Sequence, residues 1–318
     1  MEFRKFPDSS MSYPATLPPP VQPSERTSFV DRFNIHPFLF VGICLGAIFF
    51  MYHIIGSGIA FIAVGSKITR ENASAMRLIT TAGQLAFMFL PTLLFARLLS
   101  RRFRDVFPWR IPSVREFAFM LVALISLQQL LEVYLFLQDL IPLPEPLRRI
   151  LEPAREMFRN MMKIVVKAES VSELFFVIGV AAVIPSFVEE LLFRGVIQRT
   201  MERMFQPLVA AIITGIIFGV FHLDPFNVVP LIVIGCFLGL LRFRSKSIIL
   251  PIGAHFLNNL AAVIAVYLGM GYETKLSTTE FGLSETVAAF TQTLGFGSLL
   301  FFSFQAYLRS TDQIQPSA

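Results

Sequence analysis

Long apolar runs alternate with short polar connections along most of the chain. The runs fall near 37–64, 78–99, 117–138, 172–203, 207–223, 226–242, 247–269 and 286–308. A helix needs roughly 20 apolar residues to cross the hydrocarbon layer of a bilayer. The pattern therefore predicts an all-α polytopic membrane bundle of about eight transmembrane helices. The fifth and sixth runs are short, and Asp224-Pro225 marks a tight turn between them. Small residues four apart, at Gly42/Gly46, Gly215/Gly219 and Gly235/Gly239, fit close helix packing in lipid and fit simple helix filler equally well.

Two segments break the pattern. In 143–170, Leu151, Phe158, Met161, Met162, Val165 and Val166 alternate with Arg148, Arg149, Arg155, Arg159, Lys163 and Lys167. Apolar positions at helical spacing beside a basic face describe an amphipathic helix lying in the membrane interface, with Pro153 suited to a first helical position. It reads as a strut, with a gate or docking surface as the alternatives. Residues 1–35 gather Pro14, Pro18, Pro19, Pro20 and Pro23 among polar residues, which predicts a disordered tail. The first apolar run starts near Pro37 and is too long for a signal-peptide core. The chain thus divides into a tail 1–35, a transmembrane domain 36–310 and a short tail 311–318.

Composition closes off the soluble classes. Hydrophobic residues make up 54% and charged residues only 15%, with 35 Phe among 318 residues, against roughly 25% charged in a soluble domain. The net charge of +5 belongs to short loops facing lipid headgroups, and no nucleic-acid partner is expected. With eight spans both termini share a side holding fifteen Lys/Arg against ten on the other, which places both in the cytoplasm, in a plasma or endoplasmic reticulum membrane. Cys44 and Cys236 lie in apolar runs and read as small core residues without a disulfide framework.

Ionisable groups inside spans carry the chemical information, because each costs a few kcal/mol at mid-bilayer and normally faces protein interior. Glu189-Glu190 and Arg194 lie in one apolar run, with Arg194 four residues after Glu190, the favourable order for an ion pair. Adjacent carboxylates diverge by about 100° on a helix and should not satisfy one partner. Glu189 is left without a local partner, the situation of a general base or acid. Three charges at a helix end reaching for headgroups is the bland alternative. His222, in Phe218-Gly-Val-Phe-His222, and His255, four residues before Asn259, supply the other polar groups. His36 and His53, the remaining two of four histidines, read as interface or packing residues. Counted from the loops at ~1.5 Å per residue, Glu189 and His222 reach the same depth, and His255 joins them if the 242–246 loop dips inward.

The pieces Glu189-Glu190-x-x-x-Arg194, Phe218-x-x-x-His222 and His255-x-x-x-Asn259, in that order and each in an apolar run, resemble the CPBP intramembrane protease family. That family includes type II CAAX prenyl endopeptidases and bacteriocin self-immunity proteins. The resemblance centres on 170–270. It implies an endopeptidase acting on a membrane-anchored protein or prenylated peptide within the lipid bilayer. Glu189 would be the general base on water, with His222 beside it, His255 and Asn259 as oxyanion donors, and the Glu190–Arg194 pair positioning Glu189. Phe218 would support the site. The family is often labelled metalloprotease, and His222, His255 and Glu189 are the ligands a Zn²⁺ would take. The sequence lacks the His-Glu-x-x-His arrangement, so water activation without a cofactor is the favoured expectation. A proton-coupled transporter predicts a repeat relating the two halves, and none is visible. A non-catalytic scaffold or immunity protein using the same cavity is the other alternative.

Overall fold

The computed structural model describes residues 28–142, 144–270 and 282–314. All regular structure among them is helical. In chain order the principal helices are α1 (Pro37–Val64), α2 (Ala73–Leu99), α3 (Val114–Asp139), α4 (Glu145–Val166), α5 (Val171–Met201), α6 (Pro207–Phe221), α7 (Val228–Ser245), α8 (Ile249–Tyr267) and α9 (Leu283–Thr311). Seven of these, all but α4 and α6, are long and apolar enough to cross a membrane. Hydrocarbon offers the backbone no hydrogen-bond partner, so runs of this length satisfy their own N–H and C=O groups as helices.

The fifth expected span is shorter than a full crossing. With 15 residues, α6 extends about 22 Å, well short of the ~30 Å hydrocarbon layer. Pro207 starts it, and a turn at Leu223, whose φ is 53°, stops it. The α6–α7 hairpin is drawn close by glycine. A Cβ at Gly215 would lie 2.4 Å from the Cys236 backbone nitrogen, and one at Gly235 would lie 2.8 Å from the Gly215 carbonyl oxygen. Gly42 and Gly46 differ, since a Cβ there meets nothing within 4 Å. Those two are helix filler.

Three boundaries move. Residues 1–27 of the Pro-rich tail lie outside the described residues, but from Ser28 onward the chain is folded. Ser28 caps a helical turn, Phe29–Arg32, and Val30 is buried against the core. At the other end helix continues to Ile314, beyond the limit expected at 311, and residues 315–318 lie outside the described residues. The amphipathic helix α4 forms as expected but begins at Glu145, with Pro153 in its interior. Pro146 occupies the first turn instead, where a missing N–H costs nothing.

The surface is the inverse of a soluble protein's. Ile62 is 86% exposed and Phe175 70%, whereas Arg194 and Glu190 are 0% exposed. Two large apolar clusters, with a third small one at Val166, Ala168, Val177 and Val263, form the interior among the described residues. One joins α1, α2, α5 and α6 through Ile48, Met88, Phe193 and Phe218; the other joins α3, α7, α8 and α9 through Met120, Leu238, Ala254 and Tyr307. The polar site lies where α5, α6 and α8 meet between them.

Candidate active site

Helix α5 is irregular where it carries the carboxylates. Pro185 has no N–H to continue the ladder, and wide π-type turns occur before it at Gly179–Val183 and after it at Leu191–Ile197. Such widened turns are frequent at functional sites. Glu189 and Glu190 lie between them, and Arg194 lies in the second.

Arg194 anchors the site. Its Nη1 donates to Glu190 Oε1 at 2.8 Å and its Nη2 to the Gly235 carbonyl at 2.8 Å. Its guanidinium lies 4.7 Å from the centre of the Phe218 ring. Glycine at 235 is what admits α7 to this distance. The ion pair expected from the four-residue spacing therefore forms, and Phe218 roofs it.

His255, entering from α8, meets both carboxylates. Its Nδ1 lies 2.9 Å from Glu190 Oε1, and its Nε2 lies 4.0 Å from Glu189 Oε2. As expected of adjacent carboxylates, the two do not share one hydrogen-bond partner: His255 bonds Glu190, and its other ring nitrogen faces Glu189 beyond hydrogen-bond reach. His222 ends α6, with Nδ1 on the Phe218 carbonyl at 2.7 Å and Nε2 at 3.5 Å from Glu189 Oε2. Both Nδ1 atoms are engaged by oxygen acceptors, which leaves both Nε2 atoms facing the same carboxylate oxygen. That Glu189 Oε2 is buried without a hydrogen-bond partner. The His222 side chain is 28% exposed against 6% for His255, so the site opens on the His222 side.

Asn259 does not join this group. One turn beyond His255, it accepts a hydrogen bond from Asn258 Nδ2 at 3.3 Å, while Asn258 accepts one from Gln128 of α3 at 3.2 Å. No hydrogen bond links Asn259 to Glu189, Glu190, His222 or His255 among the described residues. Among the described residues no group of three or more His, Cys, Asp or Glu side chains is assembled to hold a metal ion.

Helix α1 also reaches the site. His53, expected as an interface or packing residue, lies with its ring 5.0 Å from that of Phe221, next to His222, and its buried Nε2 has no hydrogen-bond partner among the described residues. The signal was present, since an unpaired imidazole in a span is costly, but no sequence spacing ties position 53 to 222.

Residues 171–261 match the family model described as Rce1-like, type II CAAX prenyl endopeptidase. The matched stretch contains Glu189, Glu190, Arg194, Phe218, His222, His255 and Asn259, and the resemblance to CPBP intramembrane proteases is borne out. No curated protein and no solved structure matches the chain. The fold and the match together define an integral membrane protein in which residues 171–261 are similar to Rce1-like, type II CAAX prenyl endopeptidases.

Proposed function

We propose that the protein is an intramembrane endopeptidase that hydrolyses a peptide bond in a membrane-anchored, CAAX-type prenylated substrate with water activated by Glu189. The observation that carries this reading is the convergence of His222 Nε2 and His255 Nε2 on Glu189 Oε2 at 3.5 and 4.0 Å. Each separation is short enough for one water to lie within hydrogen-bond reach, ~2.8 Å, of both its ends.

Glu189 takes a proton from that water and the hydroxide attacks the scissile carbonyl carbon, with His222 orienting the nucleophile. His255, held at Nδ1 by Glu190, turns Nε2 towards the tetrahedral oxyanion, where donation is the interaction worth most in acyl transfer. Asn259 contributes the second donor after its amide turns from Asn258. Collapse returns the proton to the leaving amine. No step passes through a metal; were one bound, His222, His255 and Glu189 would be its ligands.

Cleavage of a quenched prenyl-peptide reporter by purified wild type and Glu189→Gln, with metal content measured on both, tests this. The expected result is a loss of about 10²–10⁴-fold in kcat, equal insertion, and no stoichiometric metal in either sample. Bound zinc that tracks activity and is stripped by chelator would replace the water-activation scheme. Full cleavage by Glu189→Gln would end the reading altogether.

A further inference from the structure

The turn that follows His222 is held from outside its own hairpin. Leu223 has φ 53°, a left-handed conformation that is an outlier for a bulky residue and persists only where surrounding structure imposes it. Asp224 supplies part of that constraint. Its Oδ1 accepts from the backbone N–H of Phe226 at 3.0 Å and of Asn227 at 3.2 Å, and its Oδ2 accepts from Asn227 Nδ2 at 2.8 Å.

Phe226 is then gripped by α3 and α4. Gln138 Nε2 donates to its carbonyl at 3.1 Å. The Arg155 guanidinium lies 5.7 Å from its ring centre, and Phe158 meets the ring edge-on at 6.1 Å. Arg155 is itself tied to Asp139, the last residue of α3, by an ion pair. A cavity of about 200 Å³ bordered by Asp139, Arg155, Phe158, Arg159, Asp224 and Phe226 remains between them, so the grip is made by these contacts and not by continuous packing.

We infer that Arg155, on the interfacial helix, is a positioning residue for His222, acting through Phe226 and the Asp224 turn. This rests on the reading of His222 as part of the water-activating group. His222 is the residue at which α6 ends, so the turn sets its backbone, while its ring is held at Nδ1 by the Phe218 carbonyl and lies 4.5 Å from the Phe218 ring. Its Nε2 stands 3.5 Å from Glu189 Oε2, already at the outer limit of a hydrogen bond. A displacement of the turn by a fraction of an ångström therefore changes whether the two can share one water. The amphipathic helix thus couples the membrane interface, where it lies, to the geometry of the buried site.

The test uses the full chain in lipid nanodiscs and compares Arg155→Gln, Arg155→Lys and Arg149→Gln. Arg149 pairs with Glu145 on the exposed part of the same helix at 2.9 Å and serves as the control. Kinetics on the prenyl-peptide reporter are paired with the carbethoxylation rate of His222, read by peptide mass spectrometry against exposed His36. For Arg155→Gln the expected result is a fall in kcat of about 10-fold or more with KM within about twofold, and faster His222 modification at an unchanged His36 rate. Arg155→Lys keeps the cation and should restore most of kcat; Arg149→Gln should match wild type. Unchanged kcat in Arg155→Gln, a KM rise at constant kcat, or an equal effect of Arg149→Gln would overturn the inference. If wild type cleaves no reporter, the proposed function fails, and the modification rates still decide the positioning. An unaltered His222 rate then overturns it.

Discussion

Glu190 and Arg194 illustrate how a charge survives in a greasy interior. Neither is exposed at all, yet each finds partners: Glu190 Oε1 receives both Arg194 Nη1 and His255 Nδ1, and Arg194 also reaches the Gly235 carbonyl. Removing one member strands the other in low dielectric, where breaking a buried pair costs about 3–5 kcal/mol. Arg194→Met should therefore lower thermal stability in detergent steeply along with activity. Glu189→Gln should behave differently, losing cleavage while its melting temperature stays near that of wild type, because Glu189 Oε2 holds no hydrogen bond to lose. A shared loss of stability in both variants would contradict this division between anchor and reactive group. The four-residue spacing of Glu190 and Arg194 announced their pairing in advance. The double engagement of His255 was not foreseeable, since its partners lie 65 and 66 positions away along the chain.

At the scale of elements, two devices have separable consequences. The α6–α7 hairpin depends on close approach, with a Cβ on Gly215 falling 2.4 Å from a backbone nitrogen of α7. Backbone cannot yield as a flexible side chain does, so Gly215→Leu should force the helices apart. The Arg194 contact to Gly235 would go with them, and both folding yield and cleavage should fall. The start of α3 is a reciprocal cap, in which Ser113 Oγ accepts from the Glu116 N–H at 3.2 Å and Glu116 accepts from the Ser113 N–H at 2.7 Å. Ser113→Ala should cost about 1 kcal/mol, visible as a lower melting temperature with cleavage unchanged. Loss of cleavage without loss of stability would make this cap part of the site. Apolar run length located the long helices, and alternation with basic residues located α4. Run length and Asp224-Pro225 marked α6 as short and located its turn, but not that Leu223 takes a left-handed conformation in that turn.

For the whole molecule, the question is how an interfacial helix is fastened to a bundle through which it does not run. One buried side chain does much of this at the end opposite the His222 turn. Arg77 of α2, 3% exposed, donates to the Val165 carbonyl at 2.7 Å, the Ile164 carbonyl at 3.2 Å and the Lys167 carbonyl at 2.5 Å, and pairs with Glu173 of α5 at 2.7 Å. These carbonyls are the ones a helix C-terminus leaves unsatisfied. Arg77→Met should loosen the C-terminal end of α4, and protease cleavage near 163–168 in nanodiscs should accelerate severalfold. An unchanged digestion pattern would show that packing alone holds the helix.

Composition and run length determined by themselves that this chain lives in a bilayer as a helical bundle, because apolar area on this scale cannot be left in water and its backbone must bond to itself. The order of Glu189, Glu190, Arg194, Phe218, His222 and His255 along the chain also marked residues that the fold brings together. The tertiary structure alone decided the rest: that one imidazole bonds Glu190 and faces Glu189, that Asn259 turns to Asn258, that His53 stands beside the site, and that Arg155 reaches the His222 turn. Each of these depends on how separate helices are rotated and spaced against one another. Those rotations and spacings are set by close contacts such as Gly215 with Gly235; the four-residue glycine spacing offered both positions for packing, but not which helix each would meet.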